Sequence, residues 1–382
     1  MDSNFSNNKQ NWARVKQLLN KGVNENVFPG AVIKVVRDSQ IVFDYATGFY
    51  SLYPVKRKIS KDTIFDLASL TKVIVTTSAI MLLVQEKKIK LDEGLSTYLE
   101  VNSEDKGSIT IRQLLSHSAG FSAWKPIYRE VEDEEARCGV RIAGSSNARD
   151  LFLKGILDEP LAYKPGTGSI YSDLGFILLG FIIENVSGES LDKFAYNRLF
   201  RPLGMKSSFF VRHFEDKVHK KKIAATEDCK WRKRVICGEV HDENAWSLGG
   251  VAGHAGLFSS AGDLAIFAEE IINSYYGRGK IFKKGVTKGF FTKVDIPSST
   301  WALGWDTPTE GSSTSGRYFS RQTIGHTGFT GVSLWIDLKK MLAVILLTNR
   351  IHPSRDNIKI KEFRPLIHDA VMEALGYGDR SL

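Results

Sequence analysis

Ser69 and Lys72 stand three residues apart at the mouth of an apolar, helix-like run from Val73 to Glu86. If the helix begins near Ser69, the two side chains share one face. A serine hydroxyl is a weak nucleophile until a neighbouring base takes its proton. A lysine one turn away in a partly dry site does this when its pKa is lowered. The helix N-terminus favours the negative charge that develops at the serine and at an oxyanion beside it. The pair therefore suits acyl transfer through a covalent serine intermediate. Taken alone, Ser-x-x-Lys is also what an N-cap serine followed by a surface lysine looks like, so the surroundings must decide.

Other constellations carry less. His117 and His254 lie in Gly- and Ser-rich turns and read as structural. His241-Asp242-Glu243-Asn244 has the composition of a metal cluster, but adjacent residues converge poorly on one ion. There is no His-Glu-x-x-His, and no metal is expected. Gly250, Gly253 and Gly256 lack the spacing and the preceding strand of a dinucleotide fingerprint. No Gly-x-x-x-x-Gly-Lys-Ser/Thr occurs, so no cofactor is implied, and no Gly-x-Ser-x-Gly elbow offers an α/β-hydrolase route to a serine enzyme.

The elements that must position Ser69 follow from periodicity. Trp12, Val15, Leu18 and Leu19 predict an opening amphipathic helix. Gly30 to Arg37 and Gln40 to Tyr45 read as a hairpin, and Val332 to Ile336 with Met341 to Leu347 as another. Phe363 to Leu375 reads as a closing helix. Between these ends the chain is mostly helical. Thr110-Ile111-Arg112-Gln113 is a capping box ahead of Leu114, and Leu174 to Val186 is helical up to Ser187-Gly188. Ser190 is expected to cap a helix stopped by Pro202, and Ser260 one running to about Ile272. Gly311 to Ser315 reads as a mobile loop. Strands at both ends with helices between predict one mainly antiparallel sheet built from the two termini, flanked by helices, with a helical insertion.

The chain has 382 residues, 42% hydrophobic and 25% charged, ordinary for one large domain or two coupled ones that need no disulfide or metal staple. Much of the +9 formal charge lies in His219-Lys220-Lys221-Lys222 and in Lys230 to Arg234, read as a solvated loop rather than a nucleic-acid site. Cys138, Cys229 and Cys237 are odd in number and show no Cys-x-x-Cys spacing, which favours a reducing compartment. The first ten residues carry no apolar signal core, and Val73 to Val84 is too short to span a bilayer. A cytoplasmic location and no membrane segment are the resulting expectations; oligomeric state is left open.

With its surroundings included, the chain resembles the penicillin-recognising serine hydrolases: class C β-lactamases, DD-peptidases and related esterases. Their three ordered motifs match Ser69-Leu70-Thr71-Lys72, Tyr171-Ser172-Asp173 and His326-Thr327-Gly328. Leu91 to Gly94, Leu114 to Gly120 and Gly253 to Ser260 are similar as well, and the likeness runs from about residue 28 to 375. The resemblance implies a β-lactamase/transpeptidase-like α+β fold over residues 1–382, with an α/β part at about 1–70 and 256–382 and a mostly helical part at about 71–255. It implies that Ser69 attacks a carbonyl, that Lys72 and Tyr171 move the proton, and that the Ser69 and Phe329 amides form the oxyanion hole. His326, Thr327 and Gly328 would line the site from an edge strand.

Two departures bear on substrate. Asp173 stands where penicillin-processing relatives have Asn, and an ionised carboxylate only accepts hydrogen bonds. Beside Lys72 it favours the ammonium and shifts the resting base role toward Tyr171. His326 replaces a lysine and removes a permanent positive charge. Arg350 either supplies that charge or is a surface arginine. Both departures favour ester, amide or D-amino-acid peptide hydrolysis, with a link to the cell wall, over efficient β-lactam turnover. A true β-lactamase and a non-catalytic scaffold are the alternatives. The expected partner is a small-molecule or peptide substrate.

Overall fold

A computed structural model of the chain describes residues 12–101, 103–214, 222–311 and 313–378. Its strands are β1 (Gly30–Arg37), β2 (Gln40–Ser51), β3 (Arg57–Lys58), β4 (Ile64–Asp66), β5 (Phe209–Phe210), β6 (Asp228–Cys229), β7 (Arg234–Val235), β8 (Leu257–Ser260), β9 (Thr323–Thr327), β10 (Ser333–Asp337) and β11 (Leu342–Thr348). The helices that matter for the site are α1 (Ala13–Asn24), α2 (Ser78–Gln85), α3 (Ile111–Leu115), α4 (Asp173–Ser187), α5 (Glu243–Ser247), α6 (Ala261–Tyr275) and α7 (Ile360–Ala374).

The two predicted hairpins join into one antiparallel sheet, ordered β3-β2-β1-β11-β10-β9. β1 is central, and its near-continuous apolar sequence follows from burial on both faces. Ala31, Ile33 and Val35 point to the side covered by α1 and α7, where they meet Trp12, Val15, Phe363 and Val371. Val32 and Val36 point into the larger core beneath α6 and the helical region. The charge in the middle of this strand, Lys34, is buried and paired at 2.7 Å with Asp44 opposite it on β2.

The chain leaves the main sheet through β4 and returns through β8. These two strands pair antiparallel, with β5 on the far side of β8. Everything between is largely helical and packs around α4, whose residues Leu174 to Ile183 are all buried. Among the described residues no single helix is long and apolar enough to cross a membrane. The capping box at Thr110 and the Ser260 cap form as expected.

Three local expectations are corrected. Pro202 does not stop the helix begun after Ser190. Residues 196–200 form a π-helical turn, Pro202 occupies the first turn of a short segment Arg201–Leu203, and Gly204 in the left-handed region (φ 77°) ends it. Ser190 makes no side-chain cap. The basic stretch is no solvated loop at Arg232, whereas Arg234 remains half-exposed. β6 and β7 form a small hairpin there, Arg232 is buried against Trp231 and Trp246 with its guanidinium on the Val240 and His241 carbonyls, and Arg234 pairs with Glu239 at 2.8 Å. Its first part, His219 to Lys221, lies outside the described residues. Finally, the end of the loop read as mobile is tied down: Ser315 is buried, and the Thr314 carbonyl meets His368 Nδ1 at 2.8 Å.

Candidate active site

Ser69 sits where β4 turns into a helix. Leu70 is the first helical residue, and residues 72–77 form a π-helical turn before α2 rather than the continuous α-helix that periodicity predicts. Such turns concentrate at functional sites because they re-aim side chains that an α-helix would spread. The residue before the nucleophile, Ala68, has φ 45°, a strained value for a residue with a Cβ. Asp66 holds that turn: its Oδ1 accepts the Ala68 amide at 2.8 Å and its Oδ2 the His241 amide at 2.7 Å. Burial raises the Asp66 pKa, and these bonds oppose the rise. Thr71 closes the turn by donating to the Ala68 carbonyl at 2.7 Å.

Lys72 is fully buried, and its ammonium has three partners: Ser69 Oγ at 3.1 Å, the His254 carbonyl at 3.1 Å and Asp173 Oδ1 at 2.7 Å. Burial by itself lowers a lysine pKa, but Asp173 and then Tyr171 more than offset it and hold Lys72 above its ordinary value. The Tyr171 ring lies over Lys72, with the ammonium 5.0 Å from its centroid. Burial and the Asp173 charge raise the Tyr171 pKa, and Lys72 only partly counters them. Ser69, Lys72 and Tyr171 thus converge at one point, with Asp173 beside them as counter-ion to Lys72.

Tyr171 precedes α4 and is held by aromatic packing. Its ring contacts Trp301 at 5.5 Å, His117 at 4.7 Å and His326 at 5.8 Å between centroids. His117 is structural, as its sequence context predicts, and it works on the site: Nδ1 accepts the Ser172 amide at 3.1 Å, and burial and then Lys72 keep the ring neutral. His254 is also structural by side chain, paired with Asp242 at 2.8 Å, while its carbonyl is a Lys72 partner. His241 pairs with Glu227 at 2.9 Å, and Arg355 bridges Glu227 and Glu243. Among the described residues no group of His, Cys, Asp and Glu is arranged to hold a metal ion.

The opposite wall is the outer edge of β9 around His326 and Thr327. His326 is buried, its Nδ1 lies 2.6 Å from the Thr327 carbonyl, and burial followed by the Lys72 charge pushes its pKa down to about 3. It is neutral and does not replace a lysine's charge. Gly328 crosses the Ser69 turn closely: a Cβ there would lie 2.6 Å from the Leu67 carbonyl oxygen and 2.5 Å from Val332. Gly328 to Gly331 make a tight turn, with the Gly331 amide on the Gly328 carbonyl at 3.0 Å. Arg364 donates to the Gly328 and Val332 carbonyls at 2.8 and 3.0 Å, and Arg350 Nε to the Phe329 carbonyl at 2.8 Å. These bonds fix the turn. Among the described residues neither the Ser69 nor the Phe329 amide is bonded to a protein acceptor, which suits an oxyanion hole. Thr330 ties the two walls by donating to the Asp66 carbonyl at 2.8 Å.

Ser69, Tyr171, Asp173, His326, Thr327, Gly328, Phe329 and Arg350 all line one cleft of about 710 Å³, with Lys72 in its floor. Arg350 is no surface arginine. It is 6% exposed, and its Nη1 also reaches the Arg355 and Asn357 carbonyls. Sequence reasoning gave no role to Asp66, Trp301, Arg364 or the His254 carbonyl. Of these, only Asp66 carries a signal, an acid between Phe65 and Leu67 that must find partners once buried.

A serine beside a buried lysine and a tyrosine, beneath two free amides, is the arrangement that acyl transfer through a serine needs. The model of the family described as Beta-lactamase matches residues 15–368. A chain from Escherichia coli O157:H7 named "Putative D-alanyl-D-alanine carboxypeptidase" is 35% identical over 360 residues, covering 85% of this chain and 79% of that one. The chain belongs to the Beta-lactamase family and is a serine hydrolase. Its fold is shared by the octameric penicillin-binding protein homologue from Pyrococcus abyssi (TM-score 0.71, 22% identity, 95% of this chain and 77% of that one). EstCE1, titled a hydrolase with promiscuous acyltransferase activity, is similar (TM-score 0.71, 20% identity, 94% and 99%).

Proposed function

We propose that this hydrolase cleaves ester, amide or peptide bonds of small acyl donors, and that short peptides ending in a D-amino acid are its preferred class. The observation that carries this reading is Lys72: buried, 3.1 Å from Ser69 Oγ and locked by Asp173. Ser69 Oγ adds to the substrate carbonyl carbon, and the oxyanion settles between the Ser69 and Phe329 amides. The serine proton passes through Tyr171 and Lys72 to the departing amine or alkoxide. Water then repeats the sequence in reverse and frees the acid. The names of its relatives, a D-alanyl-D-alanine carboxypeptidase and a hydrolase with acyltransferase activity, support both ends of this range. Arg350 and Arg364 favour the peptide end. Both line the cleft with only backbone carbonyls as hydrogen-bond partners among the described residues, so a substrate carboxylate would find two guanidiniums there. Asp173 and neutral His326 weigh against efficient β-lactam hydrolysis.

The test is intact-protein mass after brief exposure to a penicillin and to an activated short-chain ester, for wild type and Ser69→Ala. A Ser69-dependent penicillin adduct that persists supports a peptidase that deacylates this analogue slowly. Turnover of the ester without an adduct supports the esterase end. Ser69→Ala lowers turnover by at least ~10³-fold, and equal behaviour of the two proteins with both probes overturns the reading.

A further inference from the structure

The cleft wall contains four carboxylates, and three are matched. Asp173 meets Lys72 at 2.7 Å, Asp242 meets His254 at 2.8 Å, and Glu243 meets Arg355 at 2.6 Å. The fourth is Asp306. Its Oδ1 accepts from Thr300 Oγ1 at 2.6 Å and from the Thr307 amide at 3.0 Å, and no described cation lies within ion-pair distance. We infer that Asp306 is a specificity residue that receives a cationic amino group of the substrate.

The position of Asp306 is fixed by backbone rather than by a flexible loop. Its amide and carbonyl exchange two 2.9 Å hydrogen bonds with Gly325 of β9, one residue before His326. Trp301 bridges to Asp306 on the other side, and the Trp301 ring packs on Tyr171 and His326. A half-buried carboxylate beside an indole is a chemically complete ammonium site, with charge from one and a π face from the other. Burial raises the Asp306 pKa to about 6, against the Thr300 and Thr307 bonds and the remote Lys293 charge. The carboxylate is therefore mostly ionised at neutral pH, and a bound ammonium would relieve the cost of holding it without a partner.

The inference deepens the proposed reaction and rests on it. Asp306 lies opposite Gly325, whereas the guanidiniums of Arg350 and Arg364 grip the turn at Gly328 and Phe329. At about 3.3 Å per residue the two are on the order of 10 Å apart along β9. A substrate lying on that edge meets an anion at one end and cations at the other. This arrangement fits a short zwitterionic peptide better than a neutral lipid ester.

Two isosteric pairs test it. In the first the charge is on the acyl side: 6-aminohexanoyl and heptanoyl p-nitrophenyl esters. In the second it is on the leaving side: acetylthiocholine and 3,3-dimethylbutyl thioacetate. The readout is the ratio of kcat/KM for the charged over the neutral member. Wild type should favour the charged member of at least one pair by about tenfold, and Asp306→Asn should bring that ratio close to one. Thr300→Val, which removes one of the two hydrogen bonds that hold the carboxylate in place and favour its ionised form, should lower the ratio to an intermediate value and stands in if Asp306→Asn does not fold. Calorimetric binding of the same pairs to Ser69→Ala needs no turnover, so it reads the preference even where the acyl-enzyme mechanism fails. Equal ratios in wild type and Asp306→Asn for both pairs, in turnover and in binding, overturn the proposal. So does a wild-type preference for the neutral members.

Discussion

On the helical wall of the cleft the buried cation Lys72 faces a carboxylate at 2.7 Å; Asp173 opens α4, and Lys72 belongs to the π-helical turn packed against it. On the sheet wall Arg350 and Arg364 are also buried, at 6% and 7% exposure, and are held by carbonyl oxygens. The electrostatic consequence differs. Lys72 is held above its ordinary pKa, whereas burial pushes Arg364 down to about 9 and Arg350 to about 10, each helped by a neighbouring arginine. Both guanidiniums still carry charge at neutral pH. One wall thus has a balanced pair that can exchange protons, and the other a fixed positive field beside the turn that offers the Phe329 amide. A reaction that moves a proton and transiently builds an oxyanion needs one of each.

The largest effect that tests this contrast comes from Lys72→Met. It leaves Asp173 partly buried without its cation and removes the proton partner. It should destabilise the protein by about 3–5 kcal/mol and lower kcat/KM by at least ~10³-fold. Adding Asp173→Leu should recover most of the stability and none of the activity, as read by urea denaturation and ester turnover. If the double variant stays as unstable as the single, Lys72 acts through packing and the balanced-pair description fails.

Arg364→Met should behave in the opposite way. Losing a buried cation that has no carboxylate should change stability by no more than about 1 kcal/mol, because the desolvation cost goes with it. The Gly328 and Val332 carbonyls keep the Gly331 and Gly328 amides as donors. Activity should fall by roughly tenfold, mainly in kcat, because the oxyanion turn is less firmly held and less positive. A stability loss as large as that of Lys72→Met would erase the distinction between the walls.

How much of this was legible beforehand follows the same division. The helical wall announces itself through side chains in short motifs, Ser69 with Lys72 and Tyr171 with Asp173, and residue types are what a sequence records. The sheet could be read from β1 and β11 because burial on both faces leaves a near-continuous apolar run. Lys72's second anchor could not be read, since a carbonyl at His254 has no side-chain identity. Nor could Arg364, which approaches Gly328 from a helix 36 residues further along the chain. The π-helical turn at residues 72–77 escapes periodicity because it keeps the composition of an α-helix. Pro202 misled because proline is tolerated in a first helical turn.

The smallest expected effect is also the one that separates Asp173 from the asparagine of penicillin-processing relatives. In the proposed reaction, proton transfer from Ser69 requires neutral Lys72 or ionised Tyr171, and Asp173 raises the pKa of both. Wild-type kcat/KM should therefore climb as pH rises into the alkaline range. In Asp173→Asn the negative charge is gone, burial acts on Lys72 with only Tyr171 opposing it, and Tyr171 loses one of the two influences that keep it protonated. Both changes have the same sign, so the ascending limb must move to lower pH, with a change in the maximal rate of less than about tenfold. The measurement is a pH profile of ester turnover for both proteins at equal ionic strength. A limb that stays in place would mean that Asp173 orients Lys72 without setting its charge. A limb that moves to higher pH would mean that the carboxylate itself accepts the serine proton.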